Sequence, residues 1–270
     1  MESIRELREI TQKEKIEGRE RPWGYRLFQR GPSIFITRIL LTVPVKPNHI
    51  TITSILFGVA GTLCLLSPDW HIKLFGLFFF YLNLLLDRVD GEIARYKKIY
   101  SLKGIYLDEI NHLVVPSLFF LGLAWGLSNQ TIFRPEFIII LGTITALTSA
   151  FLRAGHGLSY QIFLKKYIKH TDVFPASQIA ENTADLRKQY KHTYPFFRFF
   201  HQFQDFFITI ILFALILIGE HYFTPFGFIF PYTSYLLIGY TFYLPLLFIE
   251  NIWKGLRTIE SRMQELTEKP

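Results

Sequence analysis

Apolar residues gather along this chain into six long runs, each too uniform to be one face of a soluble helix. They predict spanning helices over roughly 49–67, 72–97, 103–127, 135–157, 204–220 and 228–251. Several of the strictly apolar cores are short. The run Leu74–Leu86 holds 13 residues. As a helix it measures about 20 Å at ~1.5 Å per residue, against a hydrocarbon core of about 30 Å. Continuing that helix to Ala94 makes it long enough, and places Asp87 and Asp90 within the inner leaflet or at its edge. Pro44 and Pro47 precede the first span and Pro68 closes it. Pro116 and Pro245 fall inside spans, where kinks are expected. Ahead of the spans, Trp23–Leu41 mixes aromatic, aliphatic and arginine residues, as an amphipathic segment in the membrane interface does. Residues 1–20 read as a charged helix in the cytosol or on the membrane surface. The expected architecture is an all-α polytopic membrane protein, six transmembrane helices preceded by an amphipathic interfacial helix. Its parts are a charged and interfacial segment (1–45), a six-helix domain (46–252) with a cytosolic loop at 158–203, and a cytosolic tail (253–270).

Composition agrees with a membrane setting. Half the residues are hydrophobic, with 28 Phe and 14 Tyr, yet the formal charge is +7; apolar spans joined by basic loops reconcile the two. Lysine and arginine set the orientation. The segment to residue 49 holds 10, residues 88–103 hold 5, residues 153–198 hold 8 and the tail 4, whereas the opposite side holds only Lys73 and Arg134. This 27-to-2 split puts both termini and the Asp87 region in the cytosol. The N-terminus mixes both charge signs without an apolar stretch, unlike a cleavable signal peptide. Cys64 is the single cysteine, so no intrachain disulfide is expected. The long basic loop, with Lys165, Lys166 and Lys169, could cap a site or simply lie on anionic lipid. Nothing in the pattern points to nucleic acid as a partner.

The chemistry concentrates in DRVDGEIARYKKIYSLKGIYLDEINH, residues 87–112. Ionisable groups at membrane depth are costly and usually mark a pathway or reaction centre. On a helix, Asp87, Asp90, Gly91 and Ala94 fall at about 0°, 300°, 40° and 340°, within one stripe about 100° wide. Two carboxylates beside small residues describe a metal site that a ligand can approach closely. Arg95 flanks the stripe and could hold a phosphate through its fork. After a turn near Tyr100–Ser101, Gly104, Asp108 and His112 repeat every fourth residue on the next helix, which is expected to lie antiparallel beside the first. Hard oxygen ligands facing a phosphate suit Mg²⁺ or Mn²⁺. A plainer reading makes these acids helix caps paired with Lys97, Lys98 and Lys103.

The pattern D-x2-D-G-x2-A-R-x8-G-x3-D-x3-D is the signature of the CDP-alcohol phosphotransferases, membrane enzymes that build phospholipids and related phosphodiesters. The chain resembles it at Asp87, Asp90, Gly91, Ala94, Arg95, Gly104 and Asp108, seven of the eight fixed positions. The Pro47-Asn48-His49-Ile50-Thr51 opening of the first span is also similar. This resemblance implies a metal pair on Asp87, Asp90 and Asp108. It implies contacts to CDP from Asp90, Gly91, Ala94, Arg95 and Gly104, with Asn48 and Thr51 nearby. It further implies a CDP-linked donor, a hydroxyl acceptor, CMP as product, surrounding membrane lipids and a homodimer.

The eighth position, an aspartate taken as general base in the family, is His112 here. Free imidazole titrates near neutrality, at about 6.5, so histidine can act as a base. His112 is open to three readings: the base, a metal ligand with the base elsewhere, or the mark of a catalytically silent member. Glu109 points about 100° away from Asp108 on the helix and does not simply replace it. Arg153 is similar to the family's arginine for an acceptor phosphate, which tilts the acceptor towards a phosphorylated alcohol; snorkelling to the headgroups is its alternative. His156 reads as incidental. His201, Gln202, Gln204 and Asp205 open the fifth span, where Asp205 either faces the cavity or, the favoured reading, is a favourable N-terminal charge. Outside the family, the alternative is a transporter that uses the same intramembrane carboxylates.

Overall fold

Polar breaks between the apolar runs decide where each helix starts. In the computed structural model, which describes residues 2–13, 24–99, 101–155, 202–223 and 231–267, all regular elements are helical. Helix α1 spans Ile4–Thr11. A π-helical turn, Tyr25–Arg30, runs directly into α2, Gly31–Leu40. Then come α3 (Pro47–Leu65), α4 (Trp70–Lys97), α5 (Leu102–Ser128), α6 (Pro135–Gly155), α7 (Phe206–Phe223) and α8 (Tyr232–Thr267).

The caps follow local chemistry. Ser3 and Glu6 form a reciprocal capping box on α1, and those bonds hold the Glu6 carboxyl below its ordinary range. Pro47 occupies the first turn of α3. Asp69 accepts from the His71 and Ile72 amides at the start of α4. The Ile72 amide is the main reason its carboxyl, too, sits low. At the other end of α4, Lys98 adopts a left-handed conformation (φ 54°), and Ile99 N–H returns to the Ala94 carbonyl. Ser101 then caps α5 through the Gly104 amide. The helices run on through Pro116 and Pro245.

Among the described residues, five helices are long and apolar enough to cross a membrane: α3, α5, α6, α7 and the Tyr232–Arg257 part of α8. The sixth expected span, α4, is not among them. It is 28 residues long and carries Lys73, Asp87, Arg88, Asp90, Glu92, Arg95 and Lys97. The last helix continues to Thr267, well past the expected end of its span at 251.

Packing also departs from the expected neighbour relation. Helix α3 packs closely on both α4 and α5, whereas α4 and α5 approach each other mainly through side chains. In the core those are large rings. Phe80 of α4 meets Phe119 of α5 edge-on at 5.1 Å, and Phe119 meets Phe206 and Phe213 of α7 at 5.4 and 5.5 Å. Towards residues 83–87 and 108–112 the rings give way to polar groups, so the space between the helices becomes a polar site.

At the other end of α4, small residues allow tight contact. A Cβ on Gly126 of α5 would overlap the Leu65 carbonyl oxygen, and one on Gly142 of α6 would overlap the Ala124 Cβ. Lys73 is buried there, donating to the Gly126 carbonyl at 2.9 Å and to Gln130. Gly126→Ala is therefore expected to destabilise the protein by about 1–3 kcal/mol, read as a lowered Tm in detergent. Gly219→Ala, where the added carbon meets nothing within 4 Å, should change stability by no more than about 0.5 kcal/mol. Equal Tm values for the two variants would contradict the close α3–α5 contact.

Candidate active site

Among the described residues, three helices wall the site. From α4, Asp87 is buried. Its Oδ2 lies 2.9 Å from Arg88 Nη1, and its Oδ1 accepts from Asn111 Nδ2 at 3.3 Å. His112 Nε2, on α5, stands 3.5 Å from Asp87 Oδ1 and 3.6 Å from Asp108 Oδ1. Side-chain exposure rises from 1% at Asp87 through 27% at His112 to 44% at Asp108, so the site opens past Asp108. The third wall is α3. Thr51 Oγ1 donates to Asp90 Oδ2 at 2.5 Å, and Asn48 Oδ1 accepts from Ser101 Oγ at 3.3 Å. A Cβ on Gly104 would lie 2.8 Å from Asn48 Oδ1, so the glycine is what lets α5 sit against α3 here. Gly91 makes room within its own helix instead: a Cβ there would come within 3.2 Å of Arg95 Nη1. Ala94 is half-buried on the same stripe.

The residues singled out in the sequence thus converge unevenly. One ligand atom each from Asp87, Asp108 and His112 lies within 4.8 Å of the others. Asp90 is not in that group and is tied to Thr51 instead. Arg95 folds across Gly91, with Nε donating to the Thr11 carbonyl at 2.5 Å. Arg153, on α6, grips Glu109 with Nε and Nη2 at 3.1 and 2.8 Å, which places it one residue from Asp108. Asp205 accepts from the Phe207 amide at the start of α7. His156, His201, Lys165, Lys166, Lys169, Trp23 and Tyr100 lie outside the described residues. Among the described residues, none of the three aspartates is ion-paired with Lys97, Lys98 or Lys103. Lys97 donates instead to the Val45 carbonyl at 2.8 Å.

Several functional neighbours escaped the sequence reading. Asn83 bridges the Ser54 carbonyl and Asn111 at 2.8 Å each, and Asn111 also reaches Asp87. Asn83 was legible, because at about 320° it falls on the same helical stripe as Asp87. Arg88 was less so; its Nε donates to Gln29 at 3.1 Å, and Tyr25 lies under its guanidinium. Glu92 is fully buried and accepts from Gln12, Arg30 and Ser33 on Oε1 and from Thr37 on Oε2. Its burial was foreseeable from its place in an apolar helix, but its partners, 55 to 80 residues away, were not.

Asp87, Asp108 and His112 fit a divalent cation. Asp87 and Asp108 are hard oxygen donors, their contacts with His112 are long, and their spacing suits one ion. The whole is an integral membrane protein with an aspartate-rich site between helices at one end of the bundle. Residues 44–175 match the sequence model of the CDP-alcohol phosphatidyltransferase family. The chain is also similar to the bifunctional IPC transferase and DIPP synthase of Thermococcus kodakarensis, at 27% identity over 144 residues. That match covers 53% of this chain and 32% of the relative, so the chain spans about a third of the relative's length.

Direct binding tests the metal assignment without turnover. Mn²⁺ titrated into the purified protein and followed by electron paramagnetic resonance should bind at least about tenfold more weakly to Asp87→Asn, a loss of about 1.4 kcal/mol. Unchanged affinity in a folded variant would remove Asp87 from the metal site.

Proposed function

We propose that the protein moves a phospho-alcohol or phosphatidyl group from a CDP-activated donor to an acceptor hydroxyl, releasing CMP, in the synthesis of phospholipids or related phosphodiesters. The observation that carries this reading is the convergence of Asp87, Asp108 and His112 from two helices, with Asp90, Thr51, Gly91 and Arg95 alongside. Asp87, Asp90 and Asp108 would hold Mg²⁺ or Mn²⁺, which when bound neutralises diphosphate charge and polarises the phosphorus under attack. Gly91, Ala94 and Gly104 let the nucleotide approach the backbone, with Asn48 and Thr51 beside it. Arg95 contacts the donor phosphates.

His112 Nε2 takes the proton of the acceptor hydroxyl. The freed oxygen bonds to the phosphorus distal to the cytidine, and the bond from that phosphorus to the CMP oxygen breaks. CMP leaves with the electron pair. Arg153, at the open rim, would receive an anionic group on the acceptor only by exchanging Glu109 for it. The 27-to-2 distribution of basic residues supports α4 as a sixth span, with both termini and the site on the cytosolic side.

One observation favours a second role for the histidine. Its Nε2 is nearly equidistant from Asp87 and Asp108, as a third metal ligand would be. The two roles separate in one variant. With CDP-diacylglycerol or a CDP-headgroup donor and Mg²⁺, His112→Ala should cut CMP release at least about 100-fold, while donor and Mn²⁺ binding persist. Lost Mn²⁺ binding would make His112 a ligand, and full turnover would end its role as base.

A further inference from the structure

Arg95 is the part of the proposed donor site that the family-matching stretch does not complete on its own. Its Nε donates to the Thr11 carbonyl, 84 residues earlier. That carbonyl belongs to the last turn of α1, where helix geometry leaves carbonyls without intrahelical partners and the partial charge is negative. The Thr11 hydroxyl is already turned back to the Leu7 carbonyl at 2.7 Å, so the backbone oxygen makes the contact.

The next residue fixes where that oxygen stands. Gln12 Nε2 donates to Glu92 Oε1 and to the Arg30 carbonyl, both at 2.9 Å. Arg30, Ser33 and Thr37 add donors to Glu92 at 2.7–2.8 Å. Leu7 is buried beneath α1, and Tyr96 donates to Glu2 at its far end. Every partner of Glu92 and Arg95 named here precedes residue 44.

We infer that α1, bolted to α4 through Gln12 and Glu92, is a positioning element of the donor site that aims Arg95 across Gly91. It does so by holding the Thr11 carbonyl against Nε, which fixes the direction of the guanidinium before donor arrives. Gln12 and Glu92 are positioning residues and touch no substrate. The inference rests on the reading of Arg95 as a donor contact.

The test is a mutant cycle in the full-length protein, with donor in mixed micelles. Gln12→Ala is expected to raise KM for the CDP donor roughly five- to tenfold, with kcat at saturating donor and the acceptor KM unchanged. Leu7→Ala, which loosens α1 from a different contact, should do the same. In an Arg95→Ala background both should be silent, because the group they aim is gone. A rise by the same factor with and without Arg95, or no rise in either single variant, overturns the inference. A donor KM indifferent to Arg95→Ala would instead overturn the donor-site reading beneath it.

Discussion

Carboxylates taken out of water must be matched by donors or cations, or the fold cannot keep them charged. Helix α4 carries three within six residues, and the way each is matched divides scaffold from site. Glu92 is saturated: a guanidinium, an amide and two hydroxyls surround it, all at 2.7–2.9 Å. A group so fully engaged has nothing left to offer a ligand. Asp87 has one close partner, Arg88, and longer approaches from Asn111 and His112 at 3.3 and 3.5 Å. Asp90 accepts from Thr51 at 2.5 Å, and Asp108, across on α5, is partly open to solvent. The unsaturated acids are the ones that face each other.

This division explains what the sequence could and could not disclose. The stripe of Asp87, Asp90, Gly91 and Ala94, and the repeat of Gly104, Asp108 and His112, depend only on local periodicity, and they were legible. So were five of the six expected spans among the described residues, since a long apolar run needs no partner to be recognised. Glu92 lies off the stripe, and its partners come from two segments upstream: Gln12 from the expected charged helix, and Arg30, Ser33 and Thr37 from the expected interfacial segment. Polar pairing across 80 residues leaves no periodic trace. The spacing between α4 and α5 was equally hidden. A short connection implies neighbours, but only the bulk of Phe80 and Phe119 shows that the helices meet through side chains.

That spacing has a consequence for access. Had α4 and α5 packed ridge into groove along their length, interaxial distances of about 8–10 Å would leave no room between them for a nucleotide. Instead α3 serves as the common contact, and the rings fill the gap only in the core. Beyond Asn83 and Asn111 the gap is lined by polar groups, with small residues at 91, 94 and 104. The bundle is thus tight where Gly126 meets Leu65 and open where the motif lies.

Charge then selects what can enter the opening. Asp87, Asp90 and Asp108 gather more negative charge than Arg88 offsets, and Arg153 at the rim is already engaged by Glu109. A diphosphate approaching this cluster alone would be repelled at short range in a medium of low dielectric, where such terms are large. Arg95 supplies one positive charge against at least two on the incoming group. On the proposed function, the residues present therefore suit a nucleotide that arrives with divalent cations, and disfavour one that arrives without them. The same arithmetic makes the direction of Arg95 matter. In the proposed donor site it is the cation nearest Gly91, and a guanidinium that swung away would leave the nucleotide there with only Arg88 to offset the three aspartates.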